Sequence, residues 1–360
     1  NPASQPVYLD AIRKGVADTL TLAGAVIRAS MCGPCFGVSD IPADNQLSIR
    51  HVTRNYPNRE GSKPGNGQMA AAILMDARSI AATVRNGGVL TAATELDVNY
   101  IEREHDFDPT IYQNQVYDNA GKPDETVELR MGPNIASWPE MYPYAKHLLL
   151  RVAGAYEGSV TTDELVPSGD ATAYRSNPEK ISDYTMISRD PGYRARAKAV
   201  RADSSLVRSG KLPEDPAAAC AVSKAVALLG CKPEELTYGS IITSDAIGDG
   251  SSREQAASNQ KVLGGYANLA CEYSTKRYRS NLINWGILPL LTAENPHLQV
   301  GDFVLIENVR DAIAADNTEI TLHIWNDAGE RVHTATLGGM TKEEKEILAS
   351  GCLINYYRAE

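Results

Sequence analysis

Tyr238-Gly239-Ser240-Ile241-Ile242-Thr243-Ser244-Asp245-Ala246-Ile247-Gly248-Asp249-Gly250-Ser251-Ser252-Arg253-Glu254-Gln255-Ala256-Ala257 is the stretch whose reading decides the fold. Ser240 to Ser244 is short, apolar and β-branched, which predicts a buried strand. Gly248 and Gly250 permit backbone angles and close approaches that a side chain would block. Ser251 or Ser252 is expected to cap a helix opening at Arg253, with Glu254 in its first turn. Strand, glycine turn, serines and helix start together make an anion site, because free amides and the helix dipole point outward. Taken alone, the same residues also describe an ordinary capped helix after a tight turn. Arg253 tips the reading, since a cation there opposes the dipole at a cost of about 0.3–1 kcal/mol and so implies a second use.

The segment around it predicts more of the fold. Pro216 to Leu229 is expected to be a helix, opened by proline and closed by Gly230. Leu148 to about Ala155 and Gly301 to Ile306 predict strands. Glu319 to Ile324 and Arg331 to Leu337 predict a hairpin around Asn326-Asp327-Ala328-Gly329. Thr341, with Glu344 at capping-box spacing, predicts a final helix. Nearer the start, residues 4 to 29 read as a helix followed by a strand over Leu22–Ile27. Asp76 to Gly88 reads as a capped helix, and Val89 to Leu96 as a further strand. This alternation predicts a parallel α/β sheet in residues 1–110. Residues 111–145 are rich in turn formers and read as a linker, leaving 146–360 as a second domain.

The totals narrow the partners. The chain has 360 residues, 43% hydrophobic and 22% charged, which suits two packed domains. Its formal charge is −10, which argues against nucleic acid or an anionic membrane as partner. An anionic substrate must then be met by a local cluster of arginines. Six scattered cysteines fit a reducing compartment better than a disulfide framework, and the expectation is a cytoplasmic protein.

Met31-Cys32-Gly33-Pro34-Cys35-Phe36-Gly37 admits several readings. The spacing is that of a thiol–disulfide motif, which wants a helix directly after it, whereas Gly37, Asp40, Pro42 and Asp44 suit a loop. A zinc half-site needs a second pair, and no histidine supplies an obvious one. Buried inert thiols and cluster thiolates also remain open.

Gly250 to Ala257 resembles the Gly-Ser-Ser-Arg-Glu-His-Ala-Ala signature of the aconitase family of iron–sulfur hydratases. Arg279 to Pro289 resembles that family's Asn-Leu-x-x-x-Gly-x-Leu-Pro stretch. Cys32 to Gly37 is similar to its Cys-Gly-Pro-Cys-Ile-Gly, and Thr53-Arg54-Asn55-Tyr56-Pro57-Asn58-Arg59 to its Asn-Arg-Asn-Phe-x-Gly-Arg. Thr161-Thr162-Asp163 and Tyr174-Arg175-Ser176-Asn177 match two further segments.

The resemblance implies the C-terminal half of an aconitase-like hydratase: the end of a cluster-binding α/β domain, then a swivelling β/β/α domain. It implies reversible addition of water to a small di- or tricarboxylate. Ser251 matches the base, Asp163 an acidic residue of the site, and Arg54, Arg59, Arg175, Ser252 and Arg253 the substrate-binding positions. Cys32 and Cys35 match two ligands of a [4Fe–4S] cluster, with a third expected upstream of Asn1. The isolated chain is accordingly expected to be inactive and to need its N-terminal half. Thr53 for Asn, Asn58 for Gly, Glu164 for His, Val166 for Ser and Gln255 for His depart from the pattern and place citrate in doubt. A non-catalytic carboxylate-binding protein on the same scaffold is the alternative.

Overall fold

The computed structural model describes residues 1–30, 41–51, 62, 66–99, 104–115, 118, 120–167, 171–315 and 319–358. The chain divides into two compact units, Asn1–Leu129 and Arg130–Glu360.

In the first unit, α1 (Gln5–Arg13) and α2 (Val16–Leu22) precede β1 (Leu47–Arg50) and β2 (Ala71–Leu74), which pair in parallel. α3 (Ala77–Arg85) follows, and α4 (Thr110–Gln115) lies near the end. Asp76 caps α3 by accepting from the amides of Arg78 and Ser79 at 3.0 and 3.1 Å. Gly87, at φ 68°, follows its end.

Two expected strands are absent. Leu22 to Ile27 forms no strand; α2 runs into its start, and Leu22 and Val26 are exposed. Val89 to Leu96 is likewise not a strand but folds back on α3. The Thr91 amide donates to Thr83 Oγ1 at 3.1 Å, and Ala93–Glu95 forms a single tight turn. Side-chain hydroxyls bonding local backbone compete with a sheet ladder.

The second unit is a mixed sheet with helices against it. Its strands are β3 (His147–Ala155), β4 (Ser159–Thr161), β5 (Leu236–Asp249), β6 (Gly265–Tyr273), β7 (Leu288–Leu291), β8 (Phe303–Ile306), β9 (Glu319–Asn326) and β10 (Gly329–Thr336). Its helices are α5 (Thr162–Leu165), α6 (Pro178–Ser182), α7 (Tyr193–Arg208), α8 (Pro216–Leu229), α9 (Arg253–Val262), α10 (Lys276–Asn284), α11 (Val309–Ala314), α12 (Lys342–Ala349) and α13 (Leu353–Arg358). β3, β5, β6 and β7 run parallel, while β8, β9 and β10 add antiparallel. β3 borders both β5 and β8, and a single pairing, Thr336 with Leu291, joins β10 to β7. The sheet therefore closes on itself.

Strand alternation sorts the core. Leu148, Leu150 and Val152 share one cluster with Ile241, Leu269, Leu290 and Ile324. Leu149, one residue out of step, packs with Val200 and Val207 of α7 and Val222 of α8. α8 matches its sequence punctuation: Asp215 accepts from the Ala218 amide at 2.8 Å, and Gly230 is left-handed at φ 59°. The hairpin and the Thr341–Glu344 capping box also form. No helix among the described residues is long and apolar enough to cross a membrane.

Candidate functional site

The predicted strand is longer than Ser240–Ser244, because β5 extends through Asp249 and delivers Gly250 to the start of α9. β4 pairs in parallel with the end of β5, Thr161 opposite Asp249, so Thr162 and Asp163 arrive beside the glycine turn. Both glycines are used for close approach. Gly248, at φ 102°, faces the buried Tyr278 ring so tightly that a Cβ would lie 2.1 Å from it. At Gly250, φ 117°, a Cβ would lie 2.3 Å from Thr162 Oγ1. The Tyr278 hydroxyl takes hydrogen bonds from Gln260 and Asn268 at 2.6 and 3.3 Å, tying α9 and β6 to α10. Burial pushes that hydroxyl far above its ordinary pKa, so it stays neutral.

Ser251 is exposed and Ser252 half-buried. Ser252 occupies the cap position, but its side chain makes no capping bond. Ser252 therefore does not supply the expected serine cap to the first amides of α9. Glu254 instead anchors the helix start. It accepts from Trp285 Nε1 at 2.6 Å and from Asn281 Nδ2, two residues of the downstream Arg279–Pro289 stretch. Arg175 is drawn to the same turn. Its guanidinium donates to the Gln255 side-chain oxygen, and Gln255 Nε2 donates back to the Arg175 carbonyl at 3.1 Å.

Ser251 and Arg253 line an open cleft of about 450 Å³ with Glu254, Lys276, Arg277, Ser280 and Asn281. Arg253 Nε is buried without a partner. Three cations thus face one carboxylate that is already engaged, in a chain whose overall charge is −10. A site of this kind can bind carboxylates and stabilise an anionic oxygen at Ser251. Lys276 and Arg277 were missed in the sequence; their signal is position, as the first two residues of a helix capped by Thr275.

The remaining candidates divide. Asp163 sits in the short α5, half-buried. Glu164, one of the departures, has local work: its carboxylate accepts the Thr161 amide at 2.6 Å and pairs with Arg189 at 3.2 Å. Val166 is fully buried beside Ala171 and Ile181. Cys32, Cys35, Arg54 and Arg59, with Thr53 and Asn58, lie outside the described residues. Cys220, Cys231, Cys271 and Cys352 are free thiols, and no group of three or more metal-ligating side chains occurs among the described residues.

Residues 1–82 match the Aconitase family (aconitate hydratase), and residues 235–295, which hold the serine turn and the cleft, match the Aconitase C-terminal domain. The chain resembles the aconitase family in both of its units. It is 24% identical to the mitochondrial homocitrate dehydratase of Saccharomyces cerevisiae, over 99% of this chain and 46% of that protein. It is 25% identical to the mitochondrial aconitate hydratase of the same yeast, over 100% of this chain and 46% of that protein. A solved structure of 3-isopropylmalate dehydratase (leuD) from Methanocaldococcus jannaschii aligns at 20% identity and a TM-score of 0.37, covering 59% of this chain and 94% of that one. The chain therefore spans about half the length of the curated aconitase-family relatives it matches. The expectation of a cytoplasmic location is overturned, because these relatives are mitochondrial enzymes.

Proposed function

We propose that the protein is a hydro-lyase that adds or removes water on a small di- or tricarboxylate. The observation that carries the reading is the cationic cleft around Ser251 at the open end of α9. The family resemblance supplies the reaction class, and the relatives' names supply the first substrates to try, aconitate and homocitrate.

Ser251 acts as the base, its alkoxide taking the proton from carbon. A serine hydroxyl is a poor acid in water; helix-end amides and Arg253 favour its anion. Arg253 and Ser252 bind the substrate, and Arg175 clamps a carboxylate from the position Gln255 gives it. Charge-assisted arginine–carboxylate contacts contribute about 1.5–3 kcal/mol each. Asp163 orients this group from beside Gly250. Arg54 and Arg59 bind the remaining carboxylates.

The donor set of the sequence suits an iron–sulfur cluster in part, since Cys32 and Cys35 supply two thiolates of the kind such a cluster takes. When bound, the cluster supplies a Lewis acid for the departing hydroxyl. The test is turnover of the complete protein, anaerobically reconstituted, with Ser251→Ala alongside. Loss of turnover with an unchanged melting temperature supports the role of Ser251. Tight binding of a tricarboxylate with no turnover by the unaltered protein would favour a carboxylate-binding protein instead.

A further inference from the structure

We infer that a second anion site lies away from the serine turn, in the cavity between α7, the end of α9 and the loop 139–142, with Lys261 among its lining residues. The cavity holds about 180 Å³ and shares no lining residue with the serine cleft. Lys261 is only 5% exposed. Its Nζ donates to the Gly286 carbonyl at 3.0 Å and lies 3.8 Å from the centre of the Tyr266 ring. It makes no ion pair among the described residues.

An ammonium buried without a counter-charge costs several kcal/mol, and the cavity offers little from the protein to offset it. Glu140 is the one carboxylate in the lining, and it already accepts from the Tyr142 hydroxyl. The other charged lining groups are cations. Arg201 is held by Glu179 through two bonds of 2.9 and 2.7 Å. Arg208 stacks on the Tyr142 ring at 3.4 Å, its guanidinium within reach of Ser205. A compact dianion, of the sulfate and phosphate type or a short dicarboxylate, fits the volume and supplies the missing charge to Lys261 and Arg208 together.

The site's pH response follows from the groups around the amine. Burial brings the Lys261 pKa down to about 7. The other titratable neighbours are Tyr144, whose hydroxyl burial raises well above its ordinary pKa, Tyr266, whose hydroxyl burial raises to about 12, and the buried Cys352. Lys261 is therefore the group whose charge changes near neutrality, and it is charged on the acid side.

The test is calorimetric titration with sulfate, whose own charge is constant over this range, at about pH 6 and about pH 8.5, on either side of the amine's pKa. Saturable binding, tighter at the lower pH and weakened about tenfold or more in both Lys261→Met and Arg208→Gln, supports the site. Arg208→Gln lies at a helix end and keeps the fold testable if Lys261→Met does not. Arg253→Gln must retain the binding, which separates this site from the serine cleft. A parallel malonate titration distinguishes the ligand: sulfate alone assigns the site to tetrahedral oxyanions, malonate alone to dicarboxylates. Binding by neither overturns the inference, as does binding that Lys261→Met and Arg208→Gln leave unchanged or that Arg253→Gln abolishes.

Discussion

Arg175 and Gln255 hold each other from both ends, side chain to side chain and side chain to backbone at 3.1 Å. Gln255 stands where the family signature has histidine, and the pairing gives that departure a use: it fixes Arg175 against the first turn of α9. Gln255→Ala should raise KM for the carboxylate substrate on the order of tenfold, ~1.4 kcal/mol, with a smaller change in kcat. Stability should barely move, because the pair is exposed. Gln255→His should recover most of the loss, since imidazole can donate to the same carbonyl. Steady-state kinetics of the three proteins decide this.

Gly250→Ala should destabilise by two separable routes. The positive φ costs about 1–3 kcal/mol for a residue with a side chain, and the new Cβ would meet Thr162 Oγ1. Adding Thr162→Ala should relieve the second route alone. A double-mutant cycle on melting temperature therefore predicts a coupling energy that favours the pair.

Glu254→Ala should lower stability by about 1–3 kcal/mol, because the mostly buried Trp285 indole loses its acceptor. Glu254→Gln should be milder, as an amide oxygen can still accept from Nε1. Tryptophan emission should shift to the red in the alanine variant and stay close to wild type in the glutamine one.

Lys261 makes stability depend on pH in a direction opposite to that of a paired lysine. Its folded pKa, about 7, lies below the unfolded value of 10.5. Between these values the unfolded chain binds more protons, so stability rises with pH through that window. Below about pH 7 both states are charged and the burial penalty is present in full. Lys261→Met should therefore be more stable than wild type near pH 6.5, with the difference shrinking by pH 10 as the amine becomes neutral in both states. Melting curves across the window measure it.

Much of the second unit was legible because punctuation and packing agree there. Pro216 and Gly230 bound α8, the first by lacking an N–H where a helix start leaves one unsatisfied and the second by turning left-handed, and Thr341 with Glu344 opens α12 by bonding helix-start amides. α7 was missed because its inward stripe uses small residues: Ala197, Val200, Ser204 and Val207 stand among arginines and alanines. The false strands at Leu22–Ile27 and Val89–Leu96 show the reverse error, where apolar residues fall on exposed irregular chain. In the site, Ser251, Ser252 and Arg253 were readable as a motif. Lys276 and Arg277 were not, because only the tertiary meeting of α9 and α10 brings them to the same cleft.

The most direct test of the central reading is single-turnover proton abstraction. The complete reconstituted protein is mixed with citrate, homocitrate or a related hydroxy-polycarboxylate carrying deuterium at the carbon that loses its proton, and formation of the carbon–carbon double bond is followed. The wild type should turn over with a deuterium isotope effect. Ser251→Ala should bind the same compound with similar affinity, melt at the same temperature and form no double bond. Double-bond formation by Ser251→Ala at the wild-type rate would contradict the account.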